Sequence, residues 1–266
     1  MNSVALDVSA FAQARQRRGL LALWLFGGAL AAAFLLAVGT GAVAIGPGEA
    51  LAILAAQAGI ELPWSFTRQQ EAVLLAIRLP RALVGILVGG ALAASGAALQ
   101  GLFRNPLADP ALIGVSTGAA LAAAAVIVLG GSLTAVIAIL PLSLLLPLAA
   151  FGGGLVTTLI VYRIASRDGR TDVATMLLAG VAINAITAAG IGLMVFMSDD
   201  QQLRDLNYWM LGSLGGTTWD RLATGAPFIL LGALALPFFA RPLNALLLGE
   251  REAGHLGFHV ERTKRA

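Results

Sequence analysis

Cysteine is absent from this 266-residue chain, and charge is scarce. The first absence removes disulfides, thiolate chemistry and iron–sulfur ligation, and leaves the compartment open. The second is more telling. Asp, Glu, Lys and Arg make up 12% of the residues, about half the ~25% of an ordinary soluble domain. Histidine occurs only twice, both times in the C-terminal tail, so histidine chemistry at membrane depth is excluded. There is no G-x-x-x-x-G-K-[ST] phosphate loop, no H-E-x-x-H and no C-x-x-C, so ATP hydrolysis through a phosphate loop is excluded as well. An enzyme has little to stand on, and no cofactor is implied.

What is there is apolar. Hydrophobic residues account for 58% of the chain, and the mean hydropathy is +0.87. This composition reads as an all-α polytopic membrane protein. The 32 glycines suit close helix packing in lipid. The net charge of +3 reflects cytoplasmic arginines rather than nucleic-acid binding.

Uncharged runs map the spans, each needing about 20 apolar residues. Six are read: 20–41, 82–103, 111–129, 143–162, 173–197 and 222–240. They lie in a transmembrane domain over 20–240, between an N-terminal cytoplasmic segment, 1–19, and a tail, 241–266. "AVA" at 42–44 imitates a signal cleavage site. The run before it far exceeds a signal h-region of about 7–15 residues, so a first membrane helix is the reading adopted. "GGS" at 130–132 divides the long third run, and Pro141 and Pro147 predict a late or kinked fourth span. Residues 42–77 read as an interfacial connector.

Placing the N-terminus in the cytoplasm puts twelve lysines and arginines inside and five outside, as the positive-inside bias requires. Two of the five make a puzzle. In "AIRLPRALVG", 76–85, Pro80 marks a helix start, with Arg78 and Arg81 beside it. Cations are disfavoured at a helix N-terminus, and these two also break the positive-inside bias. Either they snorkel to lipid phosphates or they serve a function.

Small residues recur every four positions in span two (Gly85, Gly89, Ala93, Ala97) and span five (Gly180, Asn184, Ala188, Gly192), a spacing that permits close helix approach. Asn184, a polar amide near mid-membrane, either bonds a neighbouring helix or lines a pathway. Between spans two and three, Asn105-Pro106 ends one helix, and Asp109 caps the next with Pro110 at its first position. The loop 196–216 is amphipathic, with a short helix expected near Asn207–Leu211 and with Asp199 and Asp200 as solvated charges. In the tail, Gly249 and Gly257 break short amphipathic helices suited to docking on a soluble partner or on lipid. His255 and His259 have the spacing of a metal pair but lack a third ligand, so no metal site is assigned.

"LAIRLPRALVGILVGGALAASGAALQGLFRNPLADPALIGVSTGAA" (75–120), "LLAGVAINAI" (177–186), "WMLGSLGG" (209–216) and "LLLGEREAGHLGFHVER" (246–262) together resemble FecCD-family permeases. These are membrane subunits of bacterial ABC importers for iron–siderophores, haem and vitamin B12. "SDDQQLRDLNYWMLGSLG" is most similar to haem importer permeases. The resemblance implies a type II (BtuC-like) ABC importer transmembrane fold in the bacterial inner membrane, multi-pass, and an importer of haem. A siderophore or vitamin B12 importer is the alternative. It implies ATP hydrolysis by separate ATPase subunits, a periplasmic substrate-binding protein and a second copy of the chain as partners, besides membrane lipid.

By the same resemblance, Arg78 and Arg81 match outer arginines that receive acidic residues of the binding protein. The helix carrying Gly180, Asn184 and Ala188 matches one that lines the translocation pathway. Residues 243–261 match cytoplasmic coupling helices, with Leu248, Gly249, Glu250, Arg251, Glu252, Ala253, Leu256, Gly257 and Arg262 at the ATPase surface. Family members continue beyond this region with more membrane helices. The chain is therefore expected to be C-terminally truncated or a fragment, and a non-transporting membrane scaffold stays open as the other reading.

Overall fold

A computed structural model describes residues 2–133 and 142–265, which are helical apart from connecting turns and one two-stranded hairpin. Among the described residues, five helical stretches are long and apolar enough to cross a membrane: Gln13–Gly39, Arg68–Phe103, Leu144–Ala165, Val173–Met197 and Trp219–Leu246. Val115–Gly130 is a shorter apolar helix. Large side chains such as Trp24, Leu178, Phe196 and Phe238 stand exposed along them, as expected of surfaces that lipid or other membrane segments cover. The chain is a multi-pass membrane protein.

The chain divides into two units. The first holds residues 1–87 and 214–226. Its helices are α1 (Asn2–Gly39), α2 (Pro47–Gln57) and α3 (Arg68–Val73), followed by a π turn (Leu74–Arg78) that leads into α4 (Leu79–Phe103). Residues 42–77, expected as a connector, thus hold two helices. Each has a local cause. Pro47 opens α2, and Glu49 Oε2 accepts from the Gly46 amide at 2.8 Å. At α3, Thr67 and Gln70 form a reciprocal capping box, which satisfies donors the first turn would leave orphaned. Val38, Ile45, Ile53 and Leu74 form the buried core of this unit.

Pro80 does not begin a helix. It lies inside a continuous 36-residue helical stretch. Proline lacks an N–H and its ring crowds the carbonyl four residues back. The π turn just before it widens the helix, and the Leu79 amide bonds back to the Leu74 carbonyl. The Leu75 carbonyl then has no helical donor, since Pro80 has none to give. Trp219 Nε1 supplies one at 2.8 Å. A 36-residue helix spans about 54 Å, well beyond a hydrocarbon core of about 30 Å.

The second unit holds residues 88–213 and 227–266. α4 ends at Phe103, and Asn105, Pro106 and Asp109 turn the chain as expected. Asp109 Oδ1 accepts from the Ala111 amide at 2.7 Å, capping a 3₁₀ turn at Pro110–Ile113 that opens with Pro110. α5 (Val115–Leu133) runs through the "GGS" expected to divide the spans, and Pro141 lies outside the described residues. Pro147 sits in the early turns of α6 (Leu142–Ala165). α5 and α6 approach closely at glycines: a Cβ on Gly153 would come within 2.5 Å of the Gly118 carbonyl oxygen. Thr157 hydrogen-bonds back to the Gly153 carbonyl at this contact.

β1 (Ser166–Arg167) and β2 (Arg170–Thr171) join α6 to α7 (Val173–Met197). Asp168 and Gly169 form their turn with φ of 52° and 77°, the Asp-Gly type I′ signature. α8 (Asp200–Leu211) is longer than the short helix expected there. Asp199, expected to be merely solvated, caps it: its carboxylate accepts from the Gln202 amide at 2.8 Å while Gln202 bonds back. α9 (Trp219–Ala235) and a 3₁₀ turn (Leu236–Phe239) lead into α10 (Ala240–Leu246), then α11 (Glu250–His255) and α12 (Val260–Arg265). Phe103, Ala108, Ile113, Val161, Ala165, Met176 and Ala179 form the main core of this unit.

Candidate functional sites

Arg78 and Arg81 are not equivalent. Arg78 is buried, only 7% exposed. Its Nη1 donates to the carbonyls of Val38 at 2.7 Å and Gly39 at 2.8 Å, and its Nη2 donates to Val43. The first two are terminal carbonyls of α1, which lack intrahelical partners. A cation there also faces the negative end of the α1 dipole. This resolves the puzzle in the sequence. Arg78 is not at the start of its own helix; it closes the end of another. Arg81 is exposed, and among the described residues it makes no hydrogen bond or ion pair.

On α7 the small-residue face is packed. Gly180 is buried, and a Cβ there would collide with the Leu112 carbonyl oxygen. One turn on, Asn184 Nδ2 donates to the Ala111 carbonyl at 3.1 Å, and its Oδ1 accepts from Thr117 Oγ1 at 2.6 Å. The amide therefore bonds its neighbours across the 3₁₀ turn and α5. Ala188 is exposed. Thr187, beside it, turns inward and bonds the carbonyls of Ile183 and Asn184.

The tail folds as α10, α11 and α12. Ala245, Leu246 and Ala253 form a small core with Leu102, Leu243, Phe258 and Val260 packed against it. Leu248, Arg251, Glu252, Leu256, Gly257 and Arg262 are exposed, while Gly249 and Glu250 are half-buried. Ala253, named with them in sequence, is fully buried. A cavity of about 490 Å³ lies where α4 meets α10, lined by alanines together with Gln100, Arg104, Asn105 and Asn244.

Two residues that sequence reasoning passed over organise this end. The Lys264 side chain is 2% exposed. Its three donors meet Glu250 Oε1 at 2.9 Å, Glu261 Oε1 at 3.3 Å and the Thr171 carbonyl at 2.7 Å. Glu261 Oε2 accepts from the Thr171 amide at 3.0 Å. Both backbone groups of Thr171 are thus held by α12. The next residue, Asp172, caps α7: its Oδ2 accepts from the Thr175 amide at 2.8 Å and the Thr175 hydroxyl at 2.5 Å. The Thr175 hydroxyl, then its amide, hold the Asp172 carboxyl below the ordinary carboxylate range. The signals in sequence were the Asp-Gly turn and the E-x-x-K spacing, which places two side chains on one helix face.

The model of the FecCD transport family matches residues 29–266. The chain belongs to that family. The Hemin transport system permease protein HmuU of Yersinia pestis is 45% identical over 190 residues, covering 71% of this chain and 55% of that one. The Cobalamin import system permease protein BtuC of Halobacterium salinarum is 43% identical over 189 residues, covering 71% and 48%. The Vitamin B12 import system permease protein BtuC of Shigella boydii is 39% identical over 212 residues, covering 78% and 60%. The chain thus spans about half the length of the curated relatives it matches. A solved structure described as an inward-facing conformation of a metal-chelate type ABC transporter superposes with a TM-score of 0.73 at 26% identity, over 92% of this chain and 70% of that one. The helical arrangement of this FecCD chain is therefore that of the type II importer permeases.

Proposed function

We infer that the chain is the membrane-spanning permease of an ABC importer, and that its cargo is haem. The observation that carries the cargo is the 45% identity to a haemin permease. The 43% identity to a cobalamin permease favours vitamin B12 as the second reading. ATP is hydrolysed by separate subunits that dock on the exposed side chains of the tail, among them Leu248, Arg251, Glu252, Leu256 and Arg262. The permease works as a pair of copies, with the N-terminus and the tail in the cytoplasm.

A periplasmic binding protein docks on the far side. Arg81 receives its carboxylate directly, since it is exposed and has no partner among the described residues; Arg78 contributes by fixing the shape of the corner. Charge pairs at an exposed rim set orientation and association rate more than affinity. α7 borders the pathway through the side that carries Ala188, while Gly180 and Asn184 hold it against α5. Reconstitution in proteoliposomes with ATPase and binding protein tests the reading. ATP-dependent uptake of haem should exceed that of cobalamin and ferric siderophores. Faster cobalamin uptake would replace the cargo, and ATP hydrolysis with no uptake of any of the three would remove the importer reading.

A further inference from the structure

The contacts of Lys264 gather three chain segments at one ammonium group. Glu250 comes from α11, Glu261 from α12, and the Thr171 carbonyl from the end of the hairpin that feeds α7. A lysine has three donors and no acceptor, so its bonding capacity is filled. Glu261 completes the grip by taking the Thr171 amide. Each bond has an ionised partner, and such bonds are shorter and stronger than neutral ones.

The far side of Thr171 is held as well, by neutral bonds. Its hydroxyl lies 2.9 Å from that of Ser166 across the hairpin. The Asp172 amide donates to the Ala165 carbonyl at 3.0 Å, and Asp172 caps α7. From α11 to the first turn of α7 each step is a hydrogen bond, an ion pair or the chain itself. The exposed side chains of α11, Arg251 and Glu252, stand at one end of this series.

We propose that Lys264 and Glu261 are positioning residues that transmit movement of α11 and α12 to the hairpin and so to α7. This rests on the importer reading, in which a soluble ATPase pushes on the tail. A ligand shifts a conformational equilibrium only through contacts that differ between states. The latch supplies the element that lets contacts made at the tail bear on α7. Removing it leaves the docking side chains in place and separates hydrolysis from movement of the helix.

The test uses the full permease assembled with its ATPase in nanodiscs. The chain has no cysteine, so spin labels attach only where cysteines are introduced, at His255→Cys on α11 and Ala174→Cys on α7, both exposed positions. With the latch intact, the label-to-label distance should stay fixed and narrow when nucleotide is added. In Lys264→Met the distance should change or broaden on nucleotide binding, while ATP hydrolysis continues. In proteoliposomes, cargo moved per ATP hydrolysed should fall at least about fivefold, the lower end of typical coupling between sites. Glu261→Gln should do the same to a smaller degree, and it carries the test if Lys264→Met fails to insert. Lys264→Arg, which keeps the charge, should restore part of the ratio.

A structural role alone would lower stability and leave the ratio unchanged. Wild-type distances and transport ratios in both Lys264→Met and Glu261→Gln overturn the latch. The distance measurement needs no cargo. If the wild-type complex moves none of the tested cargoes, the importer reading fails, and the labels still decide whether tail and α7 move together.

Discussion

Replacing Arg78 by alanine should loosen the protein, and replacing Arg81 should not. The magnitude follows from the three carbonyls that the Arg78 guanidinium serves. The bond to Val38 is buried, so its loss leaves an acceptor that water does not reach, at a cost of about 1–3 kcal/mol. The bonds to Gly39 and Val43 are only partly buried. Water replaces them, and each loses the ordinary net value of about 0.5–1.5 kcal/mol. Loss of the cation at the end of α1 adds about 0.3–1 kcal/mol. Because such terms overlap, about 2–4 kcal/mol is expected in all. Arg81→Ala, at an exposed and unpaired position, should fall within about 0.5 kcal/mol of wild type. Equilibrium unfolding in mixed micelles, followed by tryptophan fluorescence, measures both. Two of the three tryptophans of this unit sit beside the contacts in question: Trp219 bonds the π turn, and the Trp64 ring lies where a Cβ on Gly48 would meet it at 2.8 Å. If Arg78→Ala and Arg81→Ala unfold alike, the guanidinium does not hold the end of α1.

Gly180→Ala should destabilise by about 1–3 kcal/mol, as overpacking usually does, because the added methyl would strike the Leu112 backbone rather than a yielding side chain; Gly192→Ala, where nothing lies within 4 Å, is the control in the same unfolding assay. The Asp172 carboxyl is held below its unfolded value. Its contribution to the first turn of α7 is therefore complete at neutral pH and disappears as pH falls through that lowered value; protection of the Thr175 amide, taken relative to its intrinsic exchange rate, should fall over that acid range, and Asp172→Asn should abolish this change in protection. Trp219→Phe removes the indole donor that serves the Leu75 carbonyl and should cost about 1 kcal/mol, visible as faster exchange of amides in residues 74–79.

Membrane class, the presence of several long apolar helices and the Asp109-Pro110 cap were legible because they depend on composition and local chemistry. Hydrophobic runs and capping residues act within a few positions of themselves. Pro80 misled for a related reason. A proline before an apolar run reads as a helix start, and a π turn that accommodates it leaves no mark in residue spacing. The partner of Arg78 lies about forty residues away along the chain, at the end of α1, and no local rule points to it. Asn184 reads in sequence as an amide that either bonds a neighbouring helix or lines a pathway. Which neighbour satisfied it depended on the turn at Ala111, a contact between helices that periodicity does not specify. Lys264 sat among the counted cytoplasmic cations. Only the fold brings Thr171 and Glu250 to it.

The widened turn at Leu74–Arg78 holds slack that the rest of the helix lacks. A π turn carries one residue more than the α-helix around it, and one residue in a regular helix is worth about 100° of rotation. The extra residue is taken up within the turn, so the helix on either side keeps its phase. Removing one codon from that segment would let the turn rewind to ordinary geometry while Gln70, which bonds Ala44 and Glu49, and Glu71, which bonds Gln57, keep facing α2 and the loop ahead of it. The cost would fall on Pro80, whose ring would then crowd the carbonyl four residues back. The same deletion in the regular helix beyond Pro80 has no such slack and would turn one side against the other through the full angle.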